Sequence, residues 1–190
     1  MTHNLDVSDY REKLLAKAES AGLSWQPATG GRRTWLVFED EKTFDLGSDA
    51  DGTRIRRIGQ SMLTGNHYPP DAVRVFGRFV LEGREIRVGD RLVQEAPLFC
   101  KLGGPLLPSA VEIIDAFASE DECRLAYVTT DFHFGRGIWR AVLIRQNGRL
   151  SLHVKSTSMP GSWLFWLGLP VARYLQLRAR RRAAEELSRT

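Results

Sequence analysis

Residues 156–182 read STSMPGSWLFWLGLPVARYLQLRARRR, and the architecture turns on this stretch. It opens on turn-forming residues, runs through tryptophan and leucine, and ends in arginines. At the angular step of an α-helix, Leu164, Leu167, Val171 and Leu175 fall on one stripe. Trp163, Trp166, Pro170, Tyr174 and Leu177 fall on a second, displaced by roughly a quarter to a third of a turn. A helix lying on one sheet needs a single apolar stripe. Two stripes leave two readings open. Either most of the helix surface is buried, or one stripe meets the sheet and the other lines a cavity or meets a partner. Pro170 removes a backbone hydrogen bond, so a bend is expected there.

Upstream of this helix the hydrophobic period is that of strands. Val73 to Leu81, Ile86 to Pro97, Ser109 to Phe117, Cys123 to Thr130, Arg136 to Arg145 and Leu150 to Ser158 read as six strands. Turn signals part them at Glu82-Gly83, Gly103-Gly104-Pro105, Ser119 to Asp121 and Asn147-Gly148. Asn147-Gly148 is the strongest, because a tight hairpin needs two residues that tolerate positive φ. Short connections between consecutive strands imply antiparallel pairing in meander order. Val128, Val142 and Leu152 are the expected seat for the Leu164 stripe.

Further upstream, Asp6 or Ser8 is the expected cap of a first helix carrying Tyr10, Leu14, Leu15 and Ala18, with Gly22 as a left-handed stop. Arg33 to Phe38 reads as a strand and Asp45 to Gly52 as a loop. Ile55, Ile58, Met62 and Leu63 have helical spacing within Thr53 to Leu63, and Gly65-Asn66 stops that helix. Strands with segregated helices make the chain α+β. No repeat or linker divides it, so residues 1–190 read as one domain with a basic helix end at 178–190.

Hydrophobic residues are 43% of the chain and charged residues 26%, ordinary for a globular protein with one core. Residues 171–190 hold six arginines against two glutamates, which accounts for the whole net charge of +4. The polar start MTHNLDVSDY is unlike a signal peptide. The longest apolar run, Trp163 to Ala172, is about half of the roughly 20 residues a spanning helix needs. Cys100 and Cys123 form no CxxC pair and read as reduced thiols, so the expected location is cytoplasmic.

Few side chains suggest chemistry. Asp131 and His133 alternate as residues sharing one strand face do, and a carboxylate can orient a histidine as a general base. No nucleophile or third metal ligand accompanies them. The competing reading is a hydrogen-bonded structural pair. His153 points away from Leu152 and Val154, toward solvent. The acidic residues of DLGSDADG lack the spacing of an EF-hand loop, so no metal is expected. Gly135-Arg136-Gly137 lacks the third glycine of a dinucleotide fingerprint and precedes a strand, so no cofactor is expected either. Arg178, Arg181 and Arg182 share a helix face and form a candidate basic patch. With no interleaved aromatics beyond Tyr174 the patch fits an anionic membrane surface better than nucleic acid, and a solvated, dipole-complementing helix end better than either.

CRLAYVTTD, beginning at Cys123-Arg124, and SMPGSWLFWLGLPVARYLQLRARR, with Ser158, Pro160 and Leu167 to Arg173, resemble the uncharacterised family domain of unknown function DUF1990. Gly59 and Tyr68-Pro69 also sit where that family has a glycine and an aromatic–proline pair. The resemblance implies the helix-grip fold of the START and birch-pollen-allergen (SRPBCC) superfamily, a curved seven-stranded antiparallel sheet gripping a long C-terminal helix. Many members of that superfamily hold an apolar ligand between sheet and helix, and some are cyclases or hydratases. Where the family has a glycine- and histidine-containing hairpin, this chain has HFGRGIWRAVLIR.

The expected function is therefore binding of a small apolar molecule between sheet and terminal helix, with Trp163, Trp166, Tyr174, Trp139 and Phe134 as cavity residues. The alternatives are an interaction module using the tryptophan- and arginine-rich helix against a protein or an anionic membrane, and a cyclase- or hydratase-like enzyme using Asp131 and His133.

Overall fold

A computed structural model describes residues 2–25, 37–69, 71–97, 106–160, 174, 177–178, 181–183 and 185–187. Ten elements run α1 (Thr2–Ser20), β1 (Phe38–Ser48), α2 (Thr53–Leu63), β2 (Arg74–Gly77), α3 (Arg78–Leu81), β3 (Arg91–Pro97), β4 (Leu106–Ala118), β5 (Glu122–Thr129), β6 (Gly135–Gln146) and β7 (Arg149–Pro160). The described residues of the chain's end, 174, 177–178, 181–183 and 185–187, are helical. None of the helices among the described residues is long and apolar enough to cross a membrane.

The seven strands make one antiparallel sheet in the order β1-β7-β6-β5-β4-β3-β2. β2 to β7 form the expected meander, and β1 closes onto β7. The β6–β7 hairpin turns at Asn147 (φ 52°) and Gly148 (φ 70°), the left-handed pair that a two-residue turn demands. Register shifts at Asp45/Gly47 and Ile113/Asp115 bend the strands, and the sheet is curved and open.

Each face of the sheet has its own helix. Leu92, Val111, Ile113, Leu125, Ala141, Leu143 and Leu152 point inward and meet Ile55, Ile58, Met62 and Leu63 of α2. Ala183 and Leu187 of the terminal helical residues are also buried, and Leu187 belongs to this core. This is a helix-grip arrangement. On the outer face, Leu14, Leu15 and Ala18 of α1 cover Phe76, Val93 and Ala110. Arg78 holds α1 from below, donating to Glu19 (2.7 Å) and Glu12 (2.8 Å).

Several local expectations need correction. β1 runs from Phe38 to Ser48, so a strand occupies part of the expected loop; residues 33–36 lie outside the described residues. α1 begins at Thr2, which puts Asp6 and Ser8 inside the helix and not at its cap. Gly22 has no left-handed φ. The expected strand 73–81 divides into β2 and α3, because Phe79 turns into the core while Arg78 reaches α1. β3 starts only at Arg91, after a loop held by the Arg84–Asp90 ion pair (2.7 Å). Val128 pairs with Ile138 and Val142 with His153, on the outer face, so of the three sheet residues expected under the terminal helix only Leu152 faces inward. The helix residues of that expectation, Leu164, Leu167, Val171 and Leu175, lie outside the described residues.

The acidic stretch before α2 has a structural task. Buried Asp49 accepts the Arg54 N–H (3.0 Å) and the Ile55 N–H (2.8 Å), satisfying two donors that the first helical turn leaves open. Among the described residues no group of histidine, cysteine or carboxylate side chains could hold a metal ion.

Candidate functional site

α2 ends in a way that aims the following residues at the core. The Asn66 N–H donates to the Ser61 carbonyl (2.9 Å) and the Gly65 N–H to the Met62 carbonyl (3.2 Å), with Gly65 left-handed (φ 75°). That is a Schellman termination, which reverses the chain direction within two residues. Phe79 and Val75 stand 3.2–3.3 Å from where a Cβ on Gly65 would be, so a glycine is required by space as well as by φ.

The reversal buries His67. Its ring lies 4.3 Å from the Tyr68 ring and 6.2 Å from Trp139, stacked on the latter at 20°. Trp139 in turn stacks on Tyr127 across the β5–β6 pair, 5.0 Å away. An aromatic ladder thus runs from Tyr127 to Tyr68 along the concave face. Neither His67 ring nitrogen has a hydrogen-bond partner among the described residues, although the residue is only 6% exposed. Burial pushes its pKa down to about 4, opposed only in part by the nearby Met62 carbonyl, whose placement falls short of a full hydrogen bond, so the imidazole is neutral at pH 7. A buried polar group without a partner costs on the order of 1–3 kcal/mol, which makes this an expensive residue to keep for packing alone.

Two cavities lie on either side of Tyr68. The inner one, about 20 Å³, is enclosed by Met62, His67, Tyr68, Trp139, Ala141, Leu152, Val154, Ala183 and Leu187. It has space for about one water-sized group. The outer one is a groove of about 640 Å³ between the end of α2, β2 and α3, lined by the apolar and aromatic Tyr68, Val73, Val75, Phe76, Phe79 and Val80 together with the polar Gln60, Thr64, Asn66 and Glu85 and the cationic Arg11, Arg74 and Arg84. Tyr68 belongs to both linings and stands between them.

Of the residues the sequence nominated for a cavity, Trp139 lines the inner one. Phe134 (39% exposed) and Tyr174 (63% exposed) line neither, the first because it sits in a surface turn and the second because its side of the helix faces out. Trp163, Trp166 and Cys100 lie outside the described residues. The sequence reading passed over His67 itself, although Gly65-Asn66 and Tyr68-Pro69 on either side were both singled out. The usable signal was a histidine held between a helix stop and an aromatic–proline pair.

Asp131 and His133 are not on a strand. They occupy the turn between β5 and β6. His133 is half-buried and turned toward its own backbone: its Nδ1 accepts the Gly135 N–H at 3.0 Å, and burial lowers its pKa. The Asp131 side chain is exposed and lies against Gly22, whose carbonyl accepts the Asp131 N–H (2.9 Å). The structure does not bring the two together as an acid–base pair. His153 is exposed and bonded to Thr43 (2.9 Å) and Ser151 (3.1 Å). Cys123 is buried beneath α2, its sulfur 3.9 Å from the Gly59 carbonyl, and burial pushes the thiol up to about 12, far from a reactive thiolate. Gly59 faces Cys123, where a Cβ would come into ordinary van der Waals contact with it at 3.4 Å.

The basic patch is partly neutralised. Asp71 lies 3.3 Å from Arg182 and 3.8 Å from Arg178, and Arg182 also meets Glu185 at 3.5 Å. Arg181 is exposed.

Solved structures resemble this one at low sequence identity. A hypothetical protein of Helicobacter pylori is 8% identical (TM-score 0.48; 88% of this chain and 91% of that one covered). The major latex-like protein 151 of Panax ginseng is 15% identical (TM-score 0.41; 76% and 98%). The di-domain ARO/CYC protein StfQ of the steffimycin biosynthetic pathway is 15% identical (TM-score 0.46; 80% and 50%). No curated protein matches the sequence. The profile of one family does, over residues 35–186, from before β1 to the end of the terminal helical residues: the chain belongs to the domain of unknown function family DUF1990.

Proposed function

We propose that this protein binds a small, largely apolar ligand at the groove between α2, β2 and α3, in front of His67. The observation that supports this reading is the buried imidazole of His67 beside an inner cavity that shares one wall, Tyr68, with a groove of ligand size. Pockets for small molecules are typically about 300–1,000 Å³, apolar, with a few placed polar groups. The groove has that volume and the inner cavity that chemistry. Native mass spectrometry of the protein purified from its own host tests the reading. A retained small molecule, lost in a Val75→Glu variant, is expected. A bare protein mass, together with no thermal stabilisation by any of a panel of apolar compounds, overturns it.

A second reading keeps the terminal helix as an anionic-surface contact, because Tyr174 and Leu177 (42% exposed) lie on the same stripe as Arg181. Co-sedimentation with phosphatidylserine vesicles that weakens with salt is the expected result. No pelleting at low salt removes it.

A further inference from the structure

The inner cavity is too small for a ligand and suited to one end of it. Resting on the binding reading above, we infer that the ligand presents a single uncharged oxygen, a hydroxyl or a carbonyl, which passes Tyr68 and bonds to His67, while its flat apolar body stays in the groove. Three observations carry this. The chamber is about 20 Å³, enough for an oxygen atom and its hydrogen but not for the two oxygens of a carboxylate or the four of a phosphate. Among the described residues the polar groups of that lining are the His67 ring, the Tyr68 hydroxyl and the Trp139 indole N–H; a neutral imidazole offers one donor and one acceptor, so it serves a hydroxyl from either side and a carbonyl from its N–H. No cationic side chain lines the chamber among the described residues, while Arg11, Arg74 and Arg84 stand outside on the groove, so a charged head would be desolvated without compensation if it entered. Tyr68, the ring of the ladder that also lines the groove, supplies a flat face at the shared wall, which favours a planar body there over a branched one.

Naphthol and naphthalene are suitable probes, because they differ by one hydroxyl. Calorimetric titration should show naphthol binding about tenfold more tightly, the difference expected for satisfying one buried partner. In His67→Leu the preference should vanish, with naphthalene bound at least as well as before. A nitrogen-15 spectrum of the unmodified protein supplies a readout that does not depend on the variant folding. Naphthol should shift a His67 ring nitrogen and naphthalene should leave it in place. Equal affinities in the unmodified protein, a preference that survives His67→Leu, or an unmoved His67 resonance at saturating naphthol each overturn the inference while leaving apolar binding intact. If neither probe binds, the binding reading falls and this inference with it.

Discussion

A Cβ at Gly137 would sit 2.3 Å from the Thr157 carbonyl oxygen, closer than any side chain can come without moving a strand. The same residue gives its N–H to the Thr129 hydroxyl (2.8 Å), which continues the β5–β6 pairing by a side chain where the backbone ladder ends. Gly137→Ala should therefore lower stability by on the order of 2 kcal/mol or more. Gly83 is the control: it is left-handed (φ 62°) with open space around it, so Gly83→Ala should cost about 1 kcal/mol of backbone strain alone. Urea midpoints of the two variants check this, and equal losses would show that the Thr157 contact does not decide the residue. His67 makes a second prediction. Its folded pKa of about 4 lies below the unfolded value near 6.5, so between those values the unfolded chain binds the extra proton. The stability this contributes is complete above about pH 6.5 and is lost as the pH falls from there through 4, by about 3 kcal/mol at most. His133 shifts in the same direction, so the comparison that isolates His67 is the pH dependence of His67→Phe against the unmodified protein. Parallel curves from pH 7 to 4 would place the titration elsewhere.

Among elements, α2 carries the site, and Asp49 starts it. Asp49→Ala leaves two helix N–H groups unpaired in a buried place and should cost about 2 kcal/mol. Asp51→Ala loses only exposed bonds to Thr53 and should cost well under 1 kcal/mol. Similar thermal shifts for the two would refute the buried cap. Both carboxylates sit in one acidic stretch, and the sequence does not distinguish them, because which one is buried depends on how β1 delivers the chain. The strands differ in the same way. β4 to β7 were legible, since alternation marks a strand wherever one face is buried. β1 was not: FEDEKTFDLGS has one buried side chain, Leu46, and is a strand only because β7 supplies its hydrogen bonds. VRVFGRFVL reads as a continuous strand, and its break into β2 and α3 accompanies the turn of Phe79 into a core whose other members lie far away in sequence. The site was half legible. The helix stop and the aromatic–proline pair stand in the sequence, whereas the burial of the histidine between them depends on Trp139 more than seventy residues later.

At the scale of the molecule, α1 lies outside the family match, which begins at residue 35, yet it covers one face of the sheet. Leu15→Asp would set a carboxylate against Val93 and Ala110 and should release the helix, seen as early proteolysis within α1 and as dye binding to Phe76 and its neighbours, with the far-ultraviolet spectrum of the sheet retained. Proteolysis first in β1 or α2 would mean that α1 is integral to the fold and not a cover. The Arg78 ion pairs are exposed, so Arg78→Gln should change stability by less than about 1 kcal/mol. The pairing of β1 with β7 has a different consequence, one of timing. Residues 38–48 precede their partners by about a hundred residues or more. At a synthesis rate of about 5–20 residues per second, the first strand emerges roughly five to twenty seconds before anything exists for it to pair with. Over that interval Glu39, Asp40, Glu41 and Lys42 keep a nascent edge in water and away from neighbouring chains on the same message. The charge that disguises β1 as a loop is what allows it to wait.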